Sequence, residues 1–253
     1  MKQLALTLIL LGIFVASNAA QKRPIVPVAR PKPAAKSPEI GQSAIVIDET
    51  LSVLRTTPSL YSDAVQRMHR GRKIQILGVT EADGVKFYKV TAPPANFGWV
   101  QADAVFGKFR PSDEERLAKL VQASNGFDQI EMAAQFFEMY PESKLKPPIL
   151  LLYGDLLEEV ALKLSKDASS KLSRQEMAAT GAPLHSYFLN YVSLDRYRKL
   201  GITFVFNASA RQFHYDGACW KELARKYPTA AEAAEAQKRL DTLKTKMETP
   251  PAK

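Results

Sequence analysis

Cys219 stands in Gly217-Ala218-Cys219-Trp220 and is the one thiol in 253 residues. A cysteine nucleophile acts as the thiolate, which needs a neighbouring base, most often a histidine, to draw off its proton. The three histidines are His69, His185 and His214, and none follows Cys219. His214 lies five residues before it, and on one helix that spacing turns the imidazole about 140° away from the thiol. Cys219 is therefore expected to be a small packing residue. Metal chemistry finds no footing either, because the scattered histidines and single cysteine give no HExxH or CxxC spacing. Asp113-Glu114-Glu115 and Glu158-Glu159 fall on helix starts or solvated helix faces, and the glycines are dispersed with no phosphate-cradling loop. The expectation is a chain with no catalytic residue, no metal and no cofactor.

The residue types that remain are those of binding. Between Gln21 and Pro111 there are fourteen Lys and Arg against seven Asp and Glu, whereas from Ser112 to the end the count is twenty against nineteen. The positive bias therefore belongs to the front half, densest at Arg67, His69, Arg70, Arg72 and Lys73. Such a loop suits an anionic polymer or headgroup, or is simply solvated surface. Tyr61 and Phe97 are large aromatics that join it on the expected exposed face. Trp99 reads two ways, as a flat platform for a sugar ring, peptide or cation, or as a buried ring; a Gly-Trp-Val strand in a small barrel favours burial. Candidate ligand-binding residues are thus Tyr61, Arg67, His69, Arg70, Arg72, Phe97 and Trp99. Ten aromatics lie between Tyr187 and Tyr227. They are read chiefly as core, with Tyr197, Arg198, Arg211 and Tyr215 as partner-binding candidates if a groove exists.

Met1 to Ala20 has the layout of an export signal: Lys2, an apolar run of roughly 13 residues from Leu4 to Ala16, and small residues at Ser17-Asn18-Ala19. The run is short of the ~20 residues that span a bilayer as a helix, so cleavage and a periplasmic or secreted protein are expected, with an uncleaved anchor as the alternative. Nucleic acid is then an unlikely class of partner, and no stable transmembrane anchor is expected after cleavage. Residues 21–41 hold Pro24, Pro27, Pro31, Pro33 and Pro38 with little to pack, which predicts an extended spacer. At 46% hydrophobic and 24% charged the remainder is an ordinary globular chain, stabilised by packing because a lone cysteine has no internal partner.

From Ala44 to Gly107 short runs rich in β-branched and aromatic residues are separated by turns. Strands are expected at Ala44–Ile47, Leu51–Leu54, Lys73–Leu77, Val85–Val90 and Gly98–Val100, with Asp83-Gly84 as a tight turn. About 65 residues with five strands suit a small closed barrel. This stretch resembles the bacterial SH3 family in Leu54-Arg55-Thr56-Thr57-Pro58-Ser59, in the rhythm of Val65 to Leu77, in Phe87-Tyr88-Lys89-Val90 and in Gly98-Trp99-Val100. The segment Ala92 to Asn96 is longer than that family's usual connection. The resemblance implies an exported targeting module for cell-wall material or peptides, without catalysis of its own.

After Pro111 the apolar period changes to about 3.6. Ser112-Asp113-Glu114-Glu115, Ser173-Arg174-Gln175-Glu176 and Thr229-Ala230-Ala231-Glu232 each match a capping box. Further helices are expected at Gln129–Tyr140, Pro148–Leu164, Leu184–Lys199 and Ala208–Tyr227. Phe213, Trp220, Leu223 and Tyr227 share one stripe, and Pro228 stops that helix before a second one bearing Ala233, Ala236, Leu240, Leu243 and Met247. Ala133 to Ser143 and Ala218 to Ala230 share an alanine and aromatic pattern closing on Tyr-Pro, and resemble tetratricopeptide repeats of the bacterial-envelope kind. The copies are 87 residues apart, not a whole multiple of the usual ~34, so an interrupted array is expected.

The expected architecture is multidomain, β + α: signal 1–20, proline-rich linker 21–41, a small SH3-like β-barrel over 42–108, an all-α helical-repeat domain over 112–247 and a short disordered tail, 248–253. The expected function is non-catalytic binding in the bacterial envelope, with the barrel on peptidoglycan, another anionic wall polymer or a peptide, and the helices on an envelope protein. The alternative is an accessory or degenerate relative of a cell-wall hydrolase. Gly217-Ala218-Cys219-Trp220 resembles the nucleophile segment of papain-like proteases, but those enzymes place their histidine downstream.

Overall fold

The computed structural model describes residues 37–92, 96–172 and 174–248. The expected export signal, the expected spacer up to Lys36, residues 93–95 of the long connection, the expected cap at Ser173 and residues 249–253 lie outside the described residues. The chain is mixed α+β, a seven-stranded antiparallel sheet curled into a half-barrel and followed by a mostly helical region.

The strands are β1 Ser43–Val46, β2 Val53–Arg55, β3 Ala64–Arg67, β4 Lys73–Ala82, β5 Val85–Ala92, β6 Asn96–Gln101 and β7 Val105–Phe106, in the sheet order β3-β2-β6-β5-β4-β1-β7. All five expected strands form, and β3 and β7 are added to them. The ten-residue β4 pairs with β1 at its start and with β5 over the rest, and its register shifts between Ile76 and Gly78. A bulge of this kind bends and twists a strand, which curls the sheet. Gly98 of β6 is required by close approach: a Cβ there would stand 2.6 Å from the Arg55 carbonyl oxygen and 2.8 Å from Leu54 Cγ, where β2 crosses.

The continuous apolar run Ala44–Ile47 is explained by burial on both faces. Ala44 and Val46 enter the half-barrel core with Leu54, Met68, Ile76, Tyr88, Val90 and Val100, whereas Ile47 on the opposite face joins the helical core. β7 divides in the same way, with Val105 in one core and Phe106 in the other.

The helices are α1 Ser112–Ala123, α2 Gly126–Met139, α3 Lys146–Lys171, α4 Arg174–Thr180, α5 Leu184–Leu189, α6 Asp195–Arg198, α7 Ala218–Lys226 and α8 Ala233–Glu248. The expected capping box at Ser112 does not form: α1 starts after Pro111 with no side-chain cap. Asp113 is instead fully buried and accepts hydrogen bonds from the Gly107 N–H, Arg110 Nε and Arg116 Nη1, each at 2.9 Å. A buried carboxylate is tolerated because its oxygens are satisfied, and it fastens the start of α1 to the end of the sheet.

Two helical expectations are corrected. Leu184–Lys199 is divided into α5, a 3-10 turn at Val192–Leu194 and α6. Ala208–Tyr227 is not one helix: a hairpin of β8 Phe204–Asn207 and β9 Gln212–Tyr215 precedes α7, so the C-terminal region is not all-α. Phe213 thus sits on a strand, apart from the Trp220 and Leu223 stripe. The free edge of β9 is satisfied by α3, as Ser165 Oγ accepts the Phe213 N–H at 2.7 Å and Glu158 Oε2 accepts the Tyr215 N–H at 2.9 Å. Side chains of a helix cover an edge that would otherwise present open backbone groups. α7 and α8 do form an antiparallel pair, because Gly217 at the start of α7 lies against Leu240 and Leu243 late in α8.

Candidate ligand-binding face

Side chains alternate across β6, so Val100 points into the half-barrel while Phe97 and Trp99 point out. Register places Arg55 of β2 and Lys89 of β5 opposite Trp99 on its two neighbouring strands, which makes one cross-strand row of cation, indole, cation. Trp99 is half-buried and Lys89 exposed, and Phe97, in the next row beside Thr91, is 62% exposed. Phe87 shares the face by register but is fully buried, so the accessible aromatic surface is Trp99 and Phe97. Trp99 is half-buried and stands outside the fully buried half-barrel core, so its ring lies between the core and platform readings.

Tyr61 crowns the loop between β2 and β3 and is 90% exposed. That loop is tied at three points. Arg55 Nη1 donates to the Ser62 carbonyl at 2.7 Å, Ser62 Oγ accepts the Thr57 N–H at 3.0 Å, and Asp83 Oδ2 accepts both the Ser59 hydroxyl at 2.7 Å and the Leu60 N–H at 2.8 Å. The Ser59 hydroxyl and then the Leu60 amide hold the Asp83 carboxyl below its ordinary range. Asp83 occupies the left-handed region with φ 53° at the tip of the β4–β5 hairpin, a conformation aspartate tolerates. A loop restrained in this way presents Tyr61 with part of its ordering cost already met. The sequence marked Asp83-Gly84 as a turn but not as the loop's anchor, and it did not pick Lys89; pairing a strand residue with Trp99 needs the register, which composition does not carry.

Within the basic loop Arg67, His69 and Lys73 are exposed as expected, and Arg70 is the member that departs from that surface. The Arg70 side chain is only 7% exposed, and its Nε donates to the Ile47 carbonyl at 3.0 Å while Nη1 donates to Glu131 at 2.8 Å and approaches Asp128 at 3.4 Å. Lys73 pairs with Glu138 at 2.8 Å, and a Cβ on Gly71 would lie 3.2 Å from Gln135 Nε2. Asp128, Glu131, Gln135 and Glu138 recur at spacings of three and four, which is one face of α2. The loop is the basic half of a seam between sheet and helix. Arg67 is exposed but donates to the Glu49 and Thr50 carbonyls, His69 lies 3.6 Å from Glu49, and Arg72 Nη2 reaches the Ala92 carbonyl at 3.3 Å.

The helical candidates do not assemble into a groove. Tyr197 is 2% exposed and meets Phe127 and Phe204 edge-on at 5.3 and 5.5 Å. Tyr215 is 3% exposed and packs edge-on against Trp220 at 5.5 Å. Burial removes both from any partner surface. Arg198 is exposed and pairs with Asp195 at 3.0 Å, and Arg211 is exposed at the hairpin turn.

Cys219 lines a cavity of about 290 Å³ with Tyr153, Leu157, Ile202 and Tyr215. Burial pushes its thiol up to about 11, aided by the negative charges of Glu222 and Asp216 and opposed by the Tyr215 hydrogen bond and Lys146. The thiol is protonated at neutral pH, the reverse of what a nucleophile needs. His214 is turned elsewhere, its Nδ1 2.9 Å from Glu158 Oε1. Among the described residues no three or more His, Cys, Asp or Glu side chains are grouped to hold a metal, and no helix is long and apolar enough to cross a membrane.

Comparison with protein-family models, with curated proteins and with solved structures gives no match for this chain.

Proposed function

We propose that this is an exported, non-catalytic recognition protein of the bacterial cell envelope. In this reading the half-barrel is an SH3-like module that contacts peptidoglycan or a wall peptide through its outer aromatic face, and the helical region, related to tetratricopeptide repeats, holds an envelope protein. The observation that carries it is the placement of Tyr61, Phe97 and Trp99 outside the core, with Arg55 and Lys89 flanking the indole. Large rigid aromatics supply contact area at low entropic cost and are enriched where binding energy concentrates. The residue resemblance to bacterial SH3 modules points the same way, as does the export-signal layout of Met1 to Ala20. The buried, protonated Cys219 argues against the hydrolase-like alternative.

Arg70 and Lys73 pair with carboxylates of α2, so this reading puts the main contact on the aromatic face and leaves the exposed Arg67 and His69 as the basic residues open to an anionic polymer. The test is co-sedimentation of the purified protein with isolated peptidoglycan. Wild type is expected in the pellet with the wall chemically unchanged, and Phe97→Ala with Trp99→Ala is expected in the supernatant with an unaltered melting transition. A wild-type protein that stays in solution, or a soluble muropeptide released by it, would refute the reading.

A further inference from the structure

A pocket of about 630 Å³ opens between the end of α3, α4, α5 and the turn of the β8–β9 hairpin, lined by Ser169, Leu172, Met177, Leu184, Phe188 and Arg211. This volume is within the range that small ligands occupy, ~300–1,000 Å³. Its floor is rigid: Phe188 is 1% exposed, stacks on Phe206 with centroids 4.5 Å apart and meets Phe213 edge-on at 5.8 Å. Among the described residues that line it, Leu172, Met177 and Leu184 are apolar, Ser169 is polar and Arg211 is the charged member.

Arg211 has two unusual properties. Its φ of 55° is in the left-handed region, which glycine enters without steric cost and a long side chain does not. The other non-glycine residue there, Asp83, is held by the hydrogen bonds it accepts from the Ser59 hydroxyl and the Leu60 N–H. Arg211 takes part in no hydrogen bond or ion pair among the described residues. The turn itself is closed by Asn207, whose Oδ1 accepts the Ala210 N–H at 3.1 Å, so the arginine side chain is not what shapes it. Backbone strain kept at a residue with no internal partner is a pointer to function.

We propose that this pocket binds a small amphipathic carboxylate, with its apolar chain over Phe188 and its head on Arg211. A guanidinium presents two parallel N–H donors that match the two oxygens of a carboxylate. Among the described lining residues one arginine balances one negative charge, which favours a carboxylate over a phosphate dianion.

The test titrates the full chain with decanoate below its micelle-forming concentration and follows heat and the methyl resonances of Leu172, Met177 and Leu184. Decanoate is expected to bind and to shift these methyls, and each methylene removed from it should weaken binding about fourfold. Decanol should bind about 10-fold or more weakly for want of the charged head. Arg211→Gly relaxes the backbone, so it should melt no lower than wild type while losing a similar factor of about 10 in affinity, and Arg211→Lys should fall between the two. Decanoate failing to bind, decanol or decyl phosphate binding as tightly as decanoate, or Arg211→Gly retaining wild-type affinity would overturn the proposal.

Discussion

Replacing Arg70 by alanine distinguishes a structural seam from a ligand-binding loop, because the two roles put the loss in different observables. The side chain is 7% exposed, and three groups depend on it: the Ile47 carbonyl at 3.0 Å, Glu131 at 2.8 Å and Asp128 at 3.4 Å. Asp128 is 69% exposed and regains water on truncation, so its share is small. Glu131 is 31% exposed and regains water in part. A hydrogen bond to a charged group contributes about 1.5–3 kcal/mol, and the buried stem adds packing. The expected total is about 2–3 kcal/mol, or a fall of roughly 5–10 °C in the melting temperature for a chain of this size. Urea denaturation of wild type, Arg70→Ala, Glu131→Ala and the double variant should give a coupling of about 1–2 kcal/mol. Lys73→Ala, which removes an exposed pair with Glu138, should leave the transition in place. An Arg70→Ala protein as stable as wild type, with no coupling to Glu131 and weaker wall binding, would refute the seam.

Gly98→Ala is expected to destabilise the half-barrel by about 2 kcal/mol or more in urea, since the added Cβ meets the Arg55 carbonyl at 2.6 Å and a backbone oxygen cannot step aside cheaply. Burial raises the Glu158 pKa, but hydrogen bonds from His214, Lys246 and the Tyr215 N–H outweigh it and bring the carboxyl from its ordinary 4.5 to about 2. A depressed folded pKa gives stability that is full above about 4.5 and lost as pH falls toward 2, here on the order of 2–3 kcal/mol, and Glu158→Gln should flatten that limb of the pH–stability curve. Glu39, brought to about 2 against burial by Lys86, Ser37 and Tyr88, titrates in the same window, so Glu39→Gln should flatten it further. With its thiol pushed up to about 11, Cys219 should alkylate at pH 7 far more slowly than a free cysteine and react fully only on denaturation.

The half-barrel was legible where the residues act locally. The β-branched and aromatic run Val85–Val90 and the Asp83-Gly84 turn depend on neighbours in sequence, and both form as read. Ala44–Ile47 was recognisable as a strand, but its two-sided burial depends on α-helices that arrive seventy and more residues later. The burial of Arg70 was not legible for the same reason: its charge is visible in composition, whereas the carboxylates on α2 that meet it are some sixty residues away. Ala208–Tyr227 failed at a short-range ambiguity. Phe204-Val205-Phe206 and Gln212-Phe213-His214-Tyr215 are each four residues or fewer of alternating pattern, too short to separate from a helical stripe that Phe213, Trp220 and Leu223 also satisfy. What decides for the hairpin is Ser165 and Glu158 on α3, which supply partners to the β9 backbone. Of the binding face, Tyr61, Phe97 and Trp99 were picked by type, but the cation row through Arg55 and Lys89 needed the register.

The chain has two tryptophans, so its ¹H–¹⁵N spectrum carries two indole signals, assigned by Trp99→Phe. Trp220 is 1% exposed and Trp99 lies on the outer face of the half-barrel. Adding soluble peptidoglycan fragments should move the Trp99 indole resonance in a saturable manner and leave that of Trp220 unchanged. A Trp99 signal that stays fixed while the fragments bind, or a shift confined to Trp220, would contradict recognition through the aromatic face.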